Sequence, residues 1–366
     1  MKNGLALKTT ALLSLINAPL FGDLCCKEEK AMMECMNPSA RCYLDDKFEV
    51  SADFLYWKAA QPNLPYAFVN TDSLFQDLGY LSYIDFEWSP GVRVGLGWET
   101  DYDGWNLTAS WTWLRNKSNA SVGYITEPEE PTMFNFYSDL RGVHIPSILI
   151  SAVNGNPTIP VYPGFASAKA SWKMLYNMFD VVLGKPYSVS KKLDLTPSIG
   201  VQGGWISRRL DIFYGGAPFG SFYSQTNNLN KFWGVGPRMG LNTDWKLGNC
   251  GFELFGNFAS ALLFGGCFDA LEDNEEAEFG EDNTHITTPS SRTQIAPTLQ
   301  MAFGLGWNKC FNYSCHDYYV NLDAAWEVNY YWNLPNFFQV QGMQANYNFP
   351  ASLDMAGLTL HANFGF

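Results

Sequence analysis

The sequence predicts an all-β protein, a transmembrane antiparallel up-and-down β-barrel of about ten strands with long external loops and short periplasmic turns. Three observations favour this fold class. Apolar and polar residues alternate with a period of two in many segments, as expected for strands with one oily face and one wet face. The 366 residues are 16% aromatic and only 16% charged, at a mean hydropathy of −0.14. After roughly the first two dozen residues, no run of about 18 apolar residues could form a transmembrane helix.

The alternation is clearest at the C-terminus, where Leu358, Leu360, Ala362, Phe364 and Phe366 share one face. We interpret this stretch as the closing strand. Its aromatic residues Phe364 and Phe366 are interpreted as the signal that bacterial barrels present to their assembly machinery. The same pattern appears upstream in residues 48–57, 92–99, 105–113, 233–242, 252–264, 297–308 and 318–332, and less cleanly in 168–184 and 191–213.

The connections between these segments alternate in length. Bacterial barrels place short turns in the periplasm and long loops outside. The order therefore predicts about ten strands, or twelve if the long loops hide short strands, with both chain ends in the periplasm. The sheet must close, because an open edge would leave backbone amides without partners in hydrocarbon. Short turns are predicted near 101–104, 185–191, 246–250 and 309–317, and long loops near 59–89, 116–166, 215–231, 266–295 and 334–354.

The first residues of the chain indicate export. Lys2 and Lys8 give a positively charged start, and an apolar stretch over 10–21 follows, which is too short to span a bilayer. We predict a cleaved signal peptide at 1–22, and a retained apolar helix is the alternative. A cysteine-containing periplasmic segment at 23–46 and an outer-membrane β-barrel at 47–366 would follow. The predicted location is the bacterial cell outer membrane.

The polar faces of the predicted strands carry charges of both signs, which would line the lumen. Mixed charges across a lumen set a transverse field and bias the passage of ions. The alternative is that these side chains only solvate the lumen or pair with one another. The pore-lining candidates are Glu49, Asp53, Arg93, Glu99, Lys173, Arg238, Asp244, Glu253, Asp323 and Glu327.

Seven of the eight cysteines are predicted to lie on the periplasmic side, where oxidising conditions favour disulfides. A barrel needs no covalent staple, so we expect some of them to link neighbouring chains, and intrachain pairing is an equal alternative. Cys267 is placed at the outer end of a strand. The disulfide candidates are Cys25, Cys26, Cys35, Cys42, Cys250, Cys310 and Cys315.

An acidic run over residues 269–282 is predicted to lie in a long external loop. Clustered carboxylates can bind Ca²⁺. The run lacks the Asp-x-Asp-x-Asp-Gly spacing of a dedicated calcium loop, so a solvated acidic loop is favoured over a metal site.

Several strand segments resemble one family. They read FEVSADFLYWKA at 48–59, GVRVGLGW at 91–98, LYNMFDVVLGK at 175–185, PSIGVQGGWISRRLDIFY at 197–214, FWGVGPRMGLNTDW at 232–245 and GFELFGNFASALLFG at 251–265. These segments are similar to the Legionella-type pore-forming major outer membrane proteins, which have relatives in chlamydia-like bacteria. The resemblance implies a porin-like barrel and supplies no catalytic motif. Because chlamydia-like envelopes are cross-linked by disulfides, it also favours bonds between chains.

These patterns predict an outer-membrane porin that allows passive diffusion of small hydrophilic solutes and ions. The alternative is a structural or adhesive envelope barrel, cross-linked by disulfides and with little conductance, because about ten strands enclose a narrow lumen. No catalytic motif is found, so neither an enzyme nor a cofactor is predicted. The net charge of −13 argues against nucleic acid as a partner. The predicted partners are outer-membrane lipid, the barrel-assembly machinery, small solutes and ions, and either a homo-oligomer or disulfide-linked envelope proteins.

Overall fold

A computed structural model describes residues 48–62, 64–71, 79–100, 103–123, 142–144, 165–216, 223–248, 251–276, 284–313, 316–337, 340–341, 344–345 and 351–366. The predicted signal peptide at 1–22 and the cysteine-containing segment at 23–46 lie outside these ranges and stay predictions. No helix within the described ranges is both long and apolar enough to cross a membrane.

The described residues form sixteen strands, ten of which build a closed antiparallel barrel. Around the ring the order is β1, β4, β5, β7, β9, β10, β11, β12, β13 and β16, and β16 pairs with β1 to close it. The prediction of about ten strands is therefore confirmed. The strands are β1 (Phe48–Ala60), β2 (Pro65–Asn70), β3 (Gly79–Tyr83), β4 (Trp88–Glu99), β5 (Asn106–Gly123), β6 (Gly142–His144), β7 (Ser167–Gly184), β8 (Tyr187–Ser188), β9 (Leu193–Gly215), β10 (Tyr223–Lys246), β11 (Phe252–Glu276), β12 (Thr284–Tyr313), β13 (His316–Leu334), β14 (Val340–Gln341), β15 (Gln344–Ala345) and β16 (Ala351–Gly365).

The seam of the barrel joins the first and last strands. Twelve residue pairs match β1 with β16, from Glu49 opposite Gly365 to Ala60 opposite Asp354. At the end of the seam, the Phe48 amide donates to the Phe366 carbonyl at 3.2 Å, and the Phe366 amide donates to the Phe48 carbonyl at 3.0 Å. The predicted closing strand at the C-terminus thus has its expected position in the wall.

Alternate side chains on the barrel strands form an apolar outer surface. Leu96, Trp233 and Met239 are 64%, 59% and 66% exposed, and their strand neighbours in sequence point the opposite way. Such exposure would be unfavourable in water and is what a lipid-facing wall requires. The period-two pattern in the sequence therefore reports which residues face the bilayer.

Three strands are much longer than a bilayer requires, which corrects the predicted long loops at 215–231 and 266–295. β10, β11 and β12 contain 24, 25 and 30 residues, whereas about 9–11 tilted residues span the hydrocarbon. Beyond the lipid, a paired strand no longer needs an apolar outer face, so the backbone ladder continues where the alternation stops. Residues 269–276 of the acidic run therefore belong to β11 rather than to a loop, and 277–282 lie outside the described residues.

The predicted long loops at 59–89 and 116–166 contribute further strands. β2, β3 and β6 come from them and form a separate three-stranded sheet. Part of this sheet and the chain after β13 are buried against the inner wall. We call residues 61–62, 64–70 and 335–337 the plug. The plug residues Leu64, Tyr66, Ala67, Val69 and Phe337 share one apolar cluster with the wall residues Trp57, Trp172, Tyr176, Leu210, Tyr214 and Leu353.

Candidate pore lumen

Nine of the ten predicted pore-lining residues lie on the inward side of their strands. Each alternates with side chains exposed on the apolar outer face. Glu99 is exposed at the periplasmic end of β4, whereas Asp53, Glu253 and Glu327 are buried. The nine are Glu49, Asp53, Arg93, Glu99, Arg238, Asp244, Glu253, Asp323 and Glu327.

Lys173 is the exception, and its predicted place in the lumen is wrong. On β7 its neighbours Trp172 and Met174 are buried, so Lys173 points outward. Its Nζ lies 3.4 Å from Asp211 on the adjacent strand β9. The error arises because this part of β7 is apolar on both faces, so the sequence pattern could not assign its direction.

Arg93 on β4 joins two buried carboxylates from different strands. Its Nη1 donates to Asp53 Oδ2 at 3.0 Å, and its Nη2 donates to Glu327 Oε1 at 2.7 Å. Thr359 donates to Glu327 at 3.0 Å, and His361 Nδ1 lies 2.5 Å from Asp53 Oδ1. β4 and β13 are separated by β1 and β16 in the ring, so the Arg93–Glu327 bond crosses part of the lumen. Such charge-assisted bonds are among the stronger ones in proteins.

A second inward cluster surrounds Arg238 on β10. Its Nε lies 3.3 Å from Asp180 on β7, and its Nη2 donates to Gln300 on β12 at 2.9 Å. Gln202 on β9 donates to Asp180 at 2.9 Å and accepts a hydrogen bond from Thr298 on β12 at 3.2 Å. Asp180 was not among the predicted residues because it lies in the same ambiguous segment as Lys173.

Two tyrosines meet across the full width of the barrel. The hydroxyl oxygens of Tyr176 on β7 and Tyr331 on β13 are 2.6 Å apart, and both side chains are fully buried. β7 and β13 are five places apart in a ring of ten strands, so they lie on opposite walls. The two side chains therefore bridge the lumen at this level. No signal in the sequence pairs these two residues.

The periplasmic part of the lumen is acidic. Lys246 pairs with Asp194 at 2.9 Å. Among the described residues, Glu49, Asp244, Glu253 and Asp323 form no ion pair with a lysine or arginine. Three of them accept amide hydrogen bonds instead: from Asn363 to Glu49 at 3.0 Å, from Asn308 to Glu253 at 2.7 Å and from Asn321 to Asp323 at 2.8 Å.

Arg208 on β9 fixes both parts of the plug. Its Nη1 donates to Gln61 Oε1 at 2.9 Å and its Nη2 donates to the Pro335 carbonyl at 2.6 Å, while the guanidinium lies 5.7 Å from the Phe337 ring centre. The side chain is only 1% exposed. Sequence reasoning missed Arg208, although a signal existed. Because successive strand residues face opposite sides, one of the consecutive arginines Arg208 and Arg209 has to point inward.

The Tyr66 side of the plug is also tied to the wall. The Tyr214 hydroxyl on β9 donates to the Tyr66 carbonyl oxygen at 2.5 Å. Burial raises the pKa of the Tyr66 phenol, so this side chain is neutral at physiological pH. The plug is therefore held by polar contacts as well as by its apolar cluster.

The cysteines are only partly within the described residues. Cys310, near the end of β12, is disulfide-bonded. Cys267 is free and buried, and it lies within β11 rather than at its end because that strand is longer than predicted. The pairing pattern stays a prediction, because Cys25, Cys26, Cys35, Cys42, Cys250 and Cys315 lie outside the described residues.

The predicted assembly signal lies on the outer face. Phe364 and Phe366 are exposed there with ring centres 6.0 Å apart. Their role in assembly stays a prediction. In the described ranges, no group of histidine, cysteine, aspartate and glutamate side chains could hold a metal ion.

Several solved structures are similar to this chain at low sequence identity. Among solved structures, the outer membrane protease OmpT of Escherichia coli is 12% identical with a TM-score of 0.41, covering 89% of this chain and 99% of that one. The toluene transporter TodX of Pseudomonas putida is 9% identical with a TM-score of 0.29, covering 90% and 92%. The toluene transporter TbuX of Ralstonia pickettii is 12% identical with a TM-score of 0.29, covering 92% and 93%.

The sequence of the chain assigns it to a protein family. No curated protein matches the chain. A family model described as the Legionella pneumophila major outer membrane protein precursor matches residues 42–366. This match spans the whole described barrel and confirms the resemblance carried by its strand segments. The chain therefore belongs to the Legionella major outer membrane protein family and is a β-barrel of the bacterial outer membrane.

Proposed function

We propose that the protein is a diffusion channel for small hydrophilic solutes and ions, and that the described conformation is its closed state. The observation that carries this proposal is the inward charge of the wall. Burying a charge is unfavourable unless it is paired or hydrated. The carboxylates Glu49, Asp244, Glu253 and Asp323 form no ion pair with a lysine or arginine among the described residues. Water and ions entering from the periplasm would satisfy them.

Passage through the barrel requires that the closed level opens. The Tyr176–Tyr331 contact joins opposite walls, and the plug packs against the inner wall on the external side. A single neutral hydrogen bond contributes only about 0.5–1.5 kcal/mol net, so the tyrosine contact can part without unfolding the wall. We therefore expect a low open probability rather than a wide, permanent pore. Diffusion of this kind requires no catalytic step and no cofactor.

Single-channel recording in planar bilayers tests the proposal. The wild-type protein should give rare stepwise conductance. Tyr176→Ala should raise the open probability because it removes the ring that reaches the opposite wall, and Tyr176→Phe, which keeps the ring, should have a smaller effect. Phe179→Ala, on the outer face of the same strand, is the matched control and should match the wild type. Absence of conductance in both the wild type and Tyr176→Ala, with a folded barrel, would contradict a channel.

An envelope-stiffening barrel is the second candidate function. One observation favours it: the lumen is crossed at several levels. Non-reducing gels of native envelopes separate the candidates. Disulfide-linked oligomers together with silent bilayers would support this alternative, whereas monomers that conduct would exclude it. A homo-oligomer and recognition by the assembly machinery belong to the same set of proposals.

A further inference from the structure

Six cations project outward from four neighbouring barrel strands, on a chain whose net charge is −13. We call them the basic face. The strands are β5, β7, β9 and β10, which are adjacent in the ring. On each of them the cations share a side with the exposed apolar residues of the outer surface. The basic face consists of Arg115 and Lys117 on β5, Lys169 and Lys173 on β7, Arg209 on β9 and Lys231 on β10.

The strand register brings these cations together in rows. Lys117 lies opposite Lys173 on β7, and Lys173 lies opposite Arg209 on β9. One row closer to the periplasm, Arg115 and Lys231 lie at the same level, with Leu175 and Ser207 between them. The rows cover three strand spacings of about 4.8 Å, or roughly 14 Å.

The height of the basic face relative to the membrane follows from the aromatic row beneath it. Trp113, Trp205 and Trp233 lie in one register row on β5, β9 and β10, with Asn177 of β7 between the first two. Tryptophans of this kind mark the membrane–water interface. The cations begin two residues further out along the strands, about 6.6 Å of strand at roughly 3.3 Å per residue, or about 5 Å of height at a strand tilt of about 40°. They therefore lie at the level of the headgroups of the external leaflet.

Within the described residues, one acidic side chain contacts the basic face. The four strands contain four acidic residues, Asp180, Asp194, Asp211 and Asp244, and only Asp211 faces outward. It contacts Arg209 at 2.7 Å and Lys173 at 3.4 Å. With Asp211 counted against its six cations, the basic face has a net charge of +5. The other four cations form no ion pair among the described residues.

A shallow groove adjoins the basic face on its external side. Its volume is about 500 Å³, and its lining includes Lys169 of the basic face and Asp211, the carboxylate that contacts Arg209 and Lys173. Its other polar lining residues are Asn119, Ser121, Ser171 and Gln225. Amide and hydroxyl groups donate and accept hydrogen bonds, which suits a hydroxyl-rich sugar.

We propose that the basic face and the groove form a binding site for an anionic glycolipid of the external leaflet, with its phosphates on the cations and its sugars in the groove. A headgroup with one phosphate would engage only part of a row about 14 Å wide, whereas a phosphorylated oligosaccharide would cover it. The site lies on the outer surface and does not depend on whether the lumen conducts.

Titration of the full-length protein, folded in neutral detergent, with bisphosphorylated lipid A tests this site. The test variant combines Lys117→Gln, Arg209→Gln and Lys231→Gln. The control combines Lys191→Gln, Lys192→Gln and Lys309→Gln, three exposed cations at the periplasmic end. At about fivefold in affinity for each cation near an anionic surface, the test variant should bind roughly 100-fold more weakly. The control should bind within twofold of the wild type.

Comparison ligands separate the possible sources of the phosphate. Fully dephosphorylated lipid A, inorganic pyrophosphate and phosphatidylglycerol vesicles should all bind much more weakly than bisphosphorylated lipid A. Unchanged binding by the test variant, or equal weakening in the control, would overturn the proposal. Equal affinity for any comparison ligand would do the same, because the site would then not recognise a phosphorylated glycolipid. The heat-dependent gel shift of a folded barrel verifies that each variant is folded.

Discussion

Replacement of Arg208 by alanine is expected to release the plug from the barrel wall. The guanidinium is buried and donates to Gln61 at 2.9 Å and to the Pro335 carbonyl at 2.6 Å. Hydrogen bonds to a charged group contribute about 1.5–3 kcal/mol each. The substitution should therefore destabilise the inward position of the plug by about 3–5 kcal/mol. The open population should rise roughly 150- to 5,000-fold.

The rate at which a native cysteine is labelled measures the release of the plug. Cys267 is free, only 3% exposed, and belongs to the same apolar cluster as the plug residues Leu64 and Tyr66. A membrane-impermeant maleimide should modify it slowly in the wild type and at least about 100-fold faster in Arg208→Ala, if opening limits access. Peptide mass spectrometry identifies the modified site. Bilayer recordings should show more frequent openings in the same variant.

The adjacent arginine provides the control. Arg209 carries the same charge one residue later, but its side chain is 54% exposed on the outer face. Arg209→Ala should leave both the labelling of Cys267 and the conductance unchanged. If Cys267 of folded Arg208→Ala stays as protected as in the wild type, apolar packing holds the plug and the role assigned to Arg208 is wrong. Equal acceleration in both variants would indicate general loosening of the barrel.

Three further predictions concern the wall. Arg93→Met should lower the free energy of unfolding in detergent by about 3–5 kcal/mol, because two buried carboxylates lose their cation; Glu99→Gln, at the exposed strand end, should change it by less than about 0.5 kcal/mol. Met239→Arg should lower stability in bilayers by about 2–4 kcal/mol, and an unchanged value would mean that this face does not contact lipid. Gly236→Ala should abolish the gel shift of the folded barrel, because its Cβ would lie 1.7 Å from a carbonyl oxygen of β11. Gly123→Ala, whose nearest Cβ contact is 3.7 Å, should fold normally.

The fold could be predicted where lipid constrains the sequence. In residues 358–366 and 92–99, every outward side chain must be apolar or small, so the alternation reveals both the strand and its direction. The external part of β12 was not predicted as a strand, because lipid does not constrain the sequence there. Above the bilayer its outer face contacts water, so polar residues are allowed on both sides and the strand has no period-two signature.

The sequence predicts that charged side chains line the lumen, but it does not predict which of them contact one another. The inward direction of Arg93 and Glu327 follows from the alternation of side chains along a strand. The same reasoning gave the wrong direction for Lys173, because both faces of β7 are apolar around it. The partners depend on the ring order and register, which bring together residues far apart in the chain. His361 and Asp53 are 308 residues apart, and no local pattern connects them.

The seam between β1 and β16 has a consequence for biogenesis. Residue 49 lies opposite residue 365, so the ring cannot exist until nearly the whole chain is available. Until then the molecule is a ribbon with two free edges, each offering a row of unpaired amides and carbonyls. Non-local pairing of this kind is slow because the entropy of loop closure is lost before the contacts form. During that interval, any extended peptide of matching register can compete for either edge.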